Sequence, residues 1–201
     1  MKKLMLVIAV LLLVFGLAVA KKANVMNVEK GELPSDSKGC SINLSEENAF
    51  SKGGVSLKVE AAVYPTPDPV YFGEYQPKKG VWDGFDYLRF EYVNPGKTPM
   101  GLILTVKPDG TADYGSRLDQ PLMFAPGKHA IEVELTGACS NNGTAIDWKK
   151  KIKQWNINGK LTGPLYIGNV QLLGADDLEK LNGGGDDKPA KSDKKAGKKE
   201  E

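Results

Sequence analysis

The chain has 201 residues, 27 of them basic and 25 acidic, with two Cys and a single His. Without Lys2 and Lys3, which precede an apolar leader, the charges balance at 25 of each sign. That balance argues against a nucleic-acid-binding surface, which needs a basic excess. One His cannot complete a zinc site with two Cys at this spacing, and no cofactor is expected.

The chain opens on Lys2-Lys3 and an apolar run over 4–20 that ends Ala18-Val19-Ala20. A short basic region, an apolar core and a small-residue ending describe a secretory signal peptide, with cleavage near Ala20. The competing reading is an uncleaved membrane anchor, since the run approaches the length of a span. With cleavage, the mature protein has no membrane span and is secreted or held in the periplasm or cell envelope. Residues 21–38 read as a lead-in segment, residues 39–182 as the folded domain, and residues 183–201 as a tail. The tail, GGGDDKPAKSDKKAGKKEE, has no large apolar side chain to offset the entropy of ordering and is expected to be disordered.

Within the domain, short alternating runs follow one another between turn signals. Strands are predicted over 39–44, 55–64, 70–75, 85–94, 100–107, 152–158 and 164–173. Between 113 and 135 two more are expected, joined by a turn at Pro126-Gly127. In the second, Ile131, Val133 and Leu135 alternate with Glu132 and Glu134. Residues 141–151 read as a polar loop, and the segment DDLEKLN near 176–182 as a short terminal helix. Many short strands with no long helical period predict an all-β fold, a sandwich or barrel.

Cys40 and Cys139 are an even pair in a chain read as exported, which suggests a disulfide. It would close a loop of about 100 residues and contribute about 4–5 kcal/mol on the loop-entropy model. Two separate thiols are the alternative.

Several phrases also stand in a familiar order: GCSINLSEENAFSKGGVSLKVE, WDGFDYLRFEYVNPGK, MFAPGKHAIEVELTG, and AIDWKKKIKQWNI followed by GPLYIGNVQL. Over residues 39–173 this order resembles galactose-binding-like jelly-roll domains, used as carbohydrate-binding modules beside polysaccharide-degrading enzymes. The resemblance implies a jelly-roll β-sandwich of two antiparallel sheets with a glycan held on one sheet face. It also implies a structural calcium, held partly by acids near the first strand and partly by an Asp in the last. Here the relevant wording is LYIGNV, with Gly168 where an Asp would stand. Glu29, Glu32 and Asp36 could supply some oxygens, but one ligand is missing from a cation that needs six to eight.

Glycans are held by aromatic rings against their C–H faces and by planar polar groups reaching hydroxyls. Two stretches display both types. On 152–158, alternation puts Gln154, Asn156 and Asn158 on one face and Trp155 and Ile157 on the other, toward the core. On 113–119, Tyr114, Arg117 and Asp119 form a polar-aromatic set, with Arg117–Asp119 equally readable as a surface ion pair. Tyr71, Tyr75 and Trp82 could rim the same surface, although Trp82 also reads as a packing residue at a strand entrance. The ligand-binding candidates are therefore Tyr114, Arg117, Asp119, Gln154, Asn156 and Trp82.

Catalysis finds little support. Glu132 and Glu134 do not form a carboxylate pair suited to glycoside hydrolysis, His129 follows a turn, and no nucleophile elbow occurs. The patterns at Asn43 and Asn142 that match glycosylation acceptors are read as chance. The reading is a non-catalytic module with a glycan or polysaccharide as partner. A structural or assembly protein binding another envelope protein is the alternative, and an enzyme acting on polysaccharide ranks below both.

Overall fold

The computed structural model describes residues 21–110 and 113–183. The sequence readings for residues 1–20 and for the tail from 184 onward lie outside the described residues. Eleven strands form two antiparallel sheets. They are β1 (Lys22–Met26), β2 (Asp36–Lys38), β3 (Ser41–Ser45), β4 (Ser56–Glu60), β5 (Val70–Tyr75), β6 (Tyr87–Asn94), β7 (Met100–Pro108), β8 (Leu118–Phe124), β9 (Gly127–Glu134), β10 (Ile152–Gly159) and β11 (Leu165–Leu173). One α-helix among the described residues, α1 (Ala175–Gly183), follows. Sheet A runs β3-β4-β11-β6-β9, and β1 pairs with β11 beside β4; sheet B runs β2-β5-β10-β7-β8. The turn spacing left a sandwich or a barrel open, and the observed architecture is the two-sheet sandwich that the resemblance implied.

Alternation explains which face each strand buries. On β6, Leu88, Phe90 and Tyr92 point inward while Tyr87, Arg89 and Glu91 are half-buried on the other side. On β10, Trp155 and Ile157 meet them from sheet B. Phe72, Leu102, Leu104, Val106 and Phe124 complete that layer. Burying each such side chain contributes roughly 1.5–3 kcal/mol. Aromatic edges fix the packing: Tyr92 meets Phe124 edge-on at 4.8 Å, and its hydroxyl accepts the Ala125 N–H at 2.9 Å.

Four features differ from the sequence reading. First, residues 21–38 are part of the sandwich, because β1 extends sheet A along β11 and β2 forms the edge of sheet B. Second, the Pro126-Gly127 turn does not close a hairpin. β8 lies in sheet B and β9 in sheet A, so residues 125–126 carry the chain from one sheet to the other. Local alternation marks a strand but carries no information on its partner.

Third, Cys40 and Cys139 are not bonded. Cys40 sits between β2 and β3 at one edge of the sandwich, and Cys139 follows β9 at the other. Five strands spaced about 4.8 Å apart separate those edges by on the order of 20 Å, whereas a disulfide needs Cα atoms within about 7 Å. Fourth, Trp82 is fully buried and offers no ring to a ligand. It stacks on Trp148 at 5.7 Å and its indole N–H donates to Lys79 O at 2.9 Å.

The position that the resemblance assigns to a calcium-binding Asp is occupied differently. A Cβ at Gly168 would lie 3.0 Å from the Phe50 ring, so an aromatic face covers the place where a carboxylate would project. Next to it, Asn169 closes on Glu29, accepting its N–H at 3.1 Å and donating to its carboxylate at 3.2 Å. The residues here do not fit the calcium arrangement implied by the resemblance.

Candidate functional site

The outer face of sheet B collects the polar side chains. The register sets them in rows. Gln154 stands between Tyr75 and Lys107, and Asn156 between Gly73 and Thr105. Asn158 stands between Tyr71 and Ile103. On β8, Asp119 faces Thr105 and Pro121 faces Ile103, while on β2 Asp36 faces Gly73. Gly73 is required by closeness: a Cβ there would collide with the backbone of Trp155 and Asn156. The bare backbone lets β10 pack directly against Gly73, which closes the floor of the face between Asp36 and Asn156.

A hydrogen-bonded ladder crosses this floor. Asn158 Nδ2 donates to Asn156 Oδ1 at 2.9 Å and to Thr105 Oγ1 at 3.0 Å. Thr105 Oγ1 donates to Asp119 Oδ1 at 2.6 Å. Arg117 reaches Asp119 Oδ2 with Nε at 3.1 Å and Nη2 at 2.9 Å, and Asn141 Nδ2 donates to the same oxygen at 3.0 Å. Burial works to raise the Asp119 pKa, but its donors, Thr105, Arg117 and Asn141, outweigh burial and hold the carboxyl below its ordinary value. Asp119 is thus a positioning residue, aimed at its neighbours rather than at solvent.

Beside the ladder, and sharing Arg117 with it, lies a cleft of about 440 Å³ lined by Tyr75, Lys107, Asp113, Tyr114, Arg117, Lys153 and Gln154. Its two tyrosines are open, with Tyr114 65% and Tyr75 49% exposed. The Arg117 guanidinium lies over the Tyr114 ring at 4.4 Å. Residues 113–117 form a bend before β8, not a strand, and the loop after β9 clamps that bend. Asn141 N–H donates to Arg117 O, Asn142 N–H to Gly115 O, and Asn141 Nδ2 to Tyr114 O, each at 2.9 Å. Asp113 takes the Ser116 N–H at 2.9 Å and hydroxyl at 2.8 Å, and the Ser116 bonds hold its carboxyl low. Gln154 Nε2 donates to Asp36 Oδ2 at 2.9 Å, leaving its carbonyl oxygen free for a ligand among the described residues.

Of the sequence candidates, Tyr114, Arg117, Asp119, Gln154 and Asn156 come together on this face, and Trp82 does not. Tyr114, Arg117 and Gln154 line the cleft, while Asp119 and Asn156 belong to the ladder beside it. Lys107, Thr105 and Lys153 were not singled out by sequence. Alternation along 100–107 could have found the first two.

A second, larger groove of about 740 Å³ opens between the free edges of β8 and β9. Backbone edges and apolar side chains form much of it, and its Glu132 faces Arg89 at 3.5 Å. No open aromatic ring lines it.

No protein-family model matches the chain, and no curated protein matches its sequence. Solved structures match its fold. An agarase, AgWH50C, aligns with a TM-score of 0.57 at 16% identity, over 77% of this chain and 24% of the agarase. The family 11 carbohydrate-binding module of the cellulosomal cellulase Lic26A-Cel5E of Clostridium thermocellum aligns at 0.54 and 14% identity, over 79% of this chain and 97% of the module. A family 30 carbohydrate-binding module aligns at 0.54 and 9% identity, over 77% of this chain and 99% of the module. The chain therefore spans about a quarter of the agarase and nearly the whole of each module. Identities this low speak for architecture alone, and the chain has the jelly-roll sandwich fold of carbohydrate-binding modules.

Proposed function

We propose that the protein is an exported, non-catalytic binding module that holds a glycan on the outer face of sheet B. The observation that carries this reading is the cleft between Tyr75 and Tyr114, joined through Arg117 to a fixed ladder of amide, hydroxyl and carboxylate groups on the same sheet face. Open rings suit the C–H faces of sugars, and planar polar groups suit their hydroxyls. Because the ladder is internally bonded, it is ordered before a ligand arrives, which lowers the entropy cost of binding. The signal-peptide reading of residues 1–20 supports export. The fold neighbours named as carbohydrate-binding modules support the function by analogy of architecture.

The test is affinity electrophoresis and calorimetry of the purified protein on a panel of soluble and insoluble polysaccharides. Binding to one class, weakened by Tyr75→Ala or Tyr114→Ala with circular dichroism unchanged, supports the reading. Absence of binding across the panel overturns it.

A structural or assembly role in the envelope is the second reading, and one observation favours it. The far end of the same face is apolar, with Met123 63% and Ile103 39% exposed beside Pro121. Such a patch suits a protein surface better than a sugar hydroxyl.

A further inference from the structure

We propose that the cleft is built for an acidic glycan, one carrying carboxylate or sulfate groups, rather than a neutral one. The inference rests on the glycan-binding reading and names the class of ligand that would fill that site.

Three cationic side chains line the cleft: Lys107, Lys153 and Arg117. Neither lysine belongs to an ion pair among the described residues. Asp119 is paired with Arg117 and also held by Thr105 and Asn141, and one carboxylate, Asp113, lines the cleft with its hydrogen bonds going to Ser116. Two lysines without ion-pair partners and the Arg117 guanidinium outnumber the single Asp113 carboxylate lining the cleft, and a bound anion would relieve the remaining like-charge repulsion. The excess is local, because the chain without Lys2 and Lys3 is neutral.

Backbone geometry delivers one of these charges. Ile152 pairs with Pro108 and Gln154 with Lys107, so Lys153 is the extra residue of a β-bulge in β10. A bulge re-aims side chains, and this one brings Lys153 to the cleft beside Gln154. A regular strand would send residue 153 to the face opposite Gln154, into the interior.

Arg117 is set for an oxyanion. Its Nε and Nη2 hold Asp119, which fixes the plane of the guanidinium over Tyr114. Five N–H donors make up a guanidinium, and the Nη1 end of this one has no protein partner among the described residues. That end can meet a carboxylate or sulfate as a fork. A neutral sugar would use the tyrosines and amides but leave the fork and both lysines unanswered.

Calorimetric titration of the purified protein tests this with four oligosaccharides of matched length. They are an oligogalacturonate, a sulfated galactan fragment, a neutral agarose fragment and a neutral β-glucan fragment. The expected result is that one acidic ligand binds about tenfold or more tighter than either neutral one, with the preference shrinking as salt rises. Comparing the two acidic ligands tells carboxylate from sulfate. Lys107→Gln with Lys153→Gln, both on the surface, should abolish the preference while the fold is retained. Neutral ligands binding as tightly as the acidic ones, or a double variant that keeps the preference, would overturn the inference and leave the glycan reading standing. Binding of none of the four would remove both.

Discussion

Replacing Asp119 with Ala tests whether the ladder is structural. Asp119 accepts four hydrogen bonds from three side chains, and its own side chain is only 11% exposed. An exposed ion pair contributes about 0–1 kcal/mol, and a fully buried one costs about 3–5 kcal/mol to break. Asp119→Ala should fall between them. Arg117 and Asn141 can turn to water, so their loss is partly recovered. Thr105 cannot: it is buried, and its hydroxyl would lose its acceptor, a penalty of about 1–3 kcal/mol. The expected loss is about 2–3 kcal/mol, read as a lower urea midpoint by tryptophan fluorescence at neutral pH. The folded pKa of Asp119 is depressed, so its stabilisation is complete above the unfolded value, near 3.9, and is lost as pH falls through the folded value. The gap between wild type and variant should therefore narrow in acid. A loss under about 0.5 kcal/mol at neutral pH, or one that does not change in acid, would refute the account of Asp119 as the hub of the face.

Three further outcomes follow from other parts of the molecule. Trp82→Ala should cost about 3–5 kcal/mol by emptying a core site against Trp148, and variants that remain folded should bind glycan as wild type does; selective loss of binding would return Trp82 to the site. Glu74 is pushed above the usual carboxylate range by burial, with the facing Trp155 indole and Lys78 working against that and Glu32 adding to it. A raised carboxyl pKa favours the folded state below the unfolded value and penalises it as pH rises through the folded one. Glu74→Gln should thus gain about 1 kcal/mol at neutral pH and nothing near pH 3, measured by urea titration at both. Thiol titration in denaturant without reductant should find two free cysteines per chain, and reductant should leave the melting temperature unchanged; a bonded pair would contradict the placement of Cys40 and Cys139 at opposite edges.

The two halves of the outer face differ in chemistry, and the same strands supply both. β7 contributes Lys107 and Thr105 to the polar end and Ile103 to the apolar end. β8 runs likewise from Asp119 to Pro121 and Met123. A glycan following the strands would pass from charged to apolar surroundings within a few residues. Tyr114 and Met123 variants assayed against the same ligand would show whether one ligand uses both ends.

Much of this was legible in the sequence because strand alternation has a period of two and needs no partner to be read. Leu88, Phe90 and Tyr92 announce a buried face on β6, and Gln154, Asn156 and Asn158 announce the polar face of β10 opposite Trp155 and Ile157. Arg117–Asp119 was readable as a pair two residues apart. What sequence could not decide was how strands meet. Whether the Pro126-Gly127 turn closes a hairpin or crosses between sheets depends on long-range pairing, as does the separation of Cys40 from Cys139. The dual character of Trp82 was settled by Trp148, a neighbour 66 positions away in the chain. The cleft itself is a tertiary product. Tyr75 and Tyr114 sit on its walls because β5, β10 and β7 lie side by side and Asn141 ties the bend at 113–117 down. Lys153 reaches it only through a bulge, whose register exists only once β10 has paired with β7. Residue types and strand faces are local properties of the chain; the meeting of those faces in one cleft depends on the entropy-costly closure of long loops, which packing alone decides.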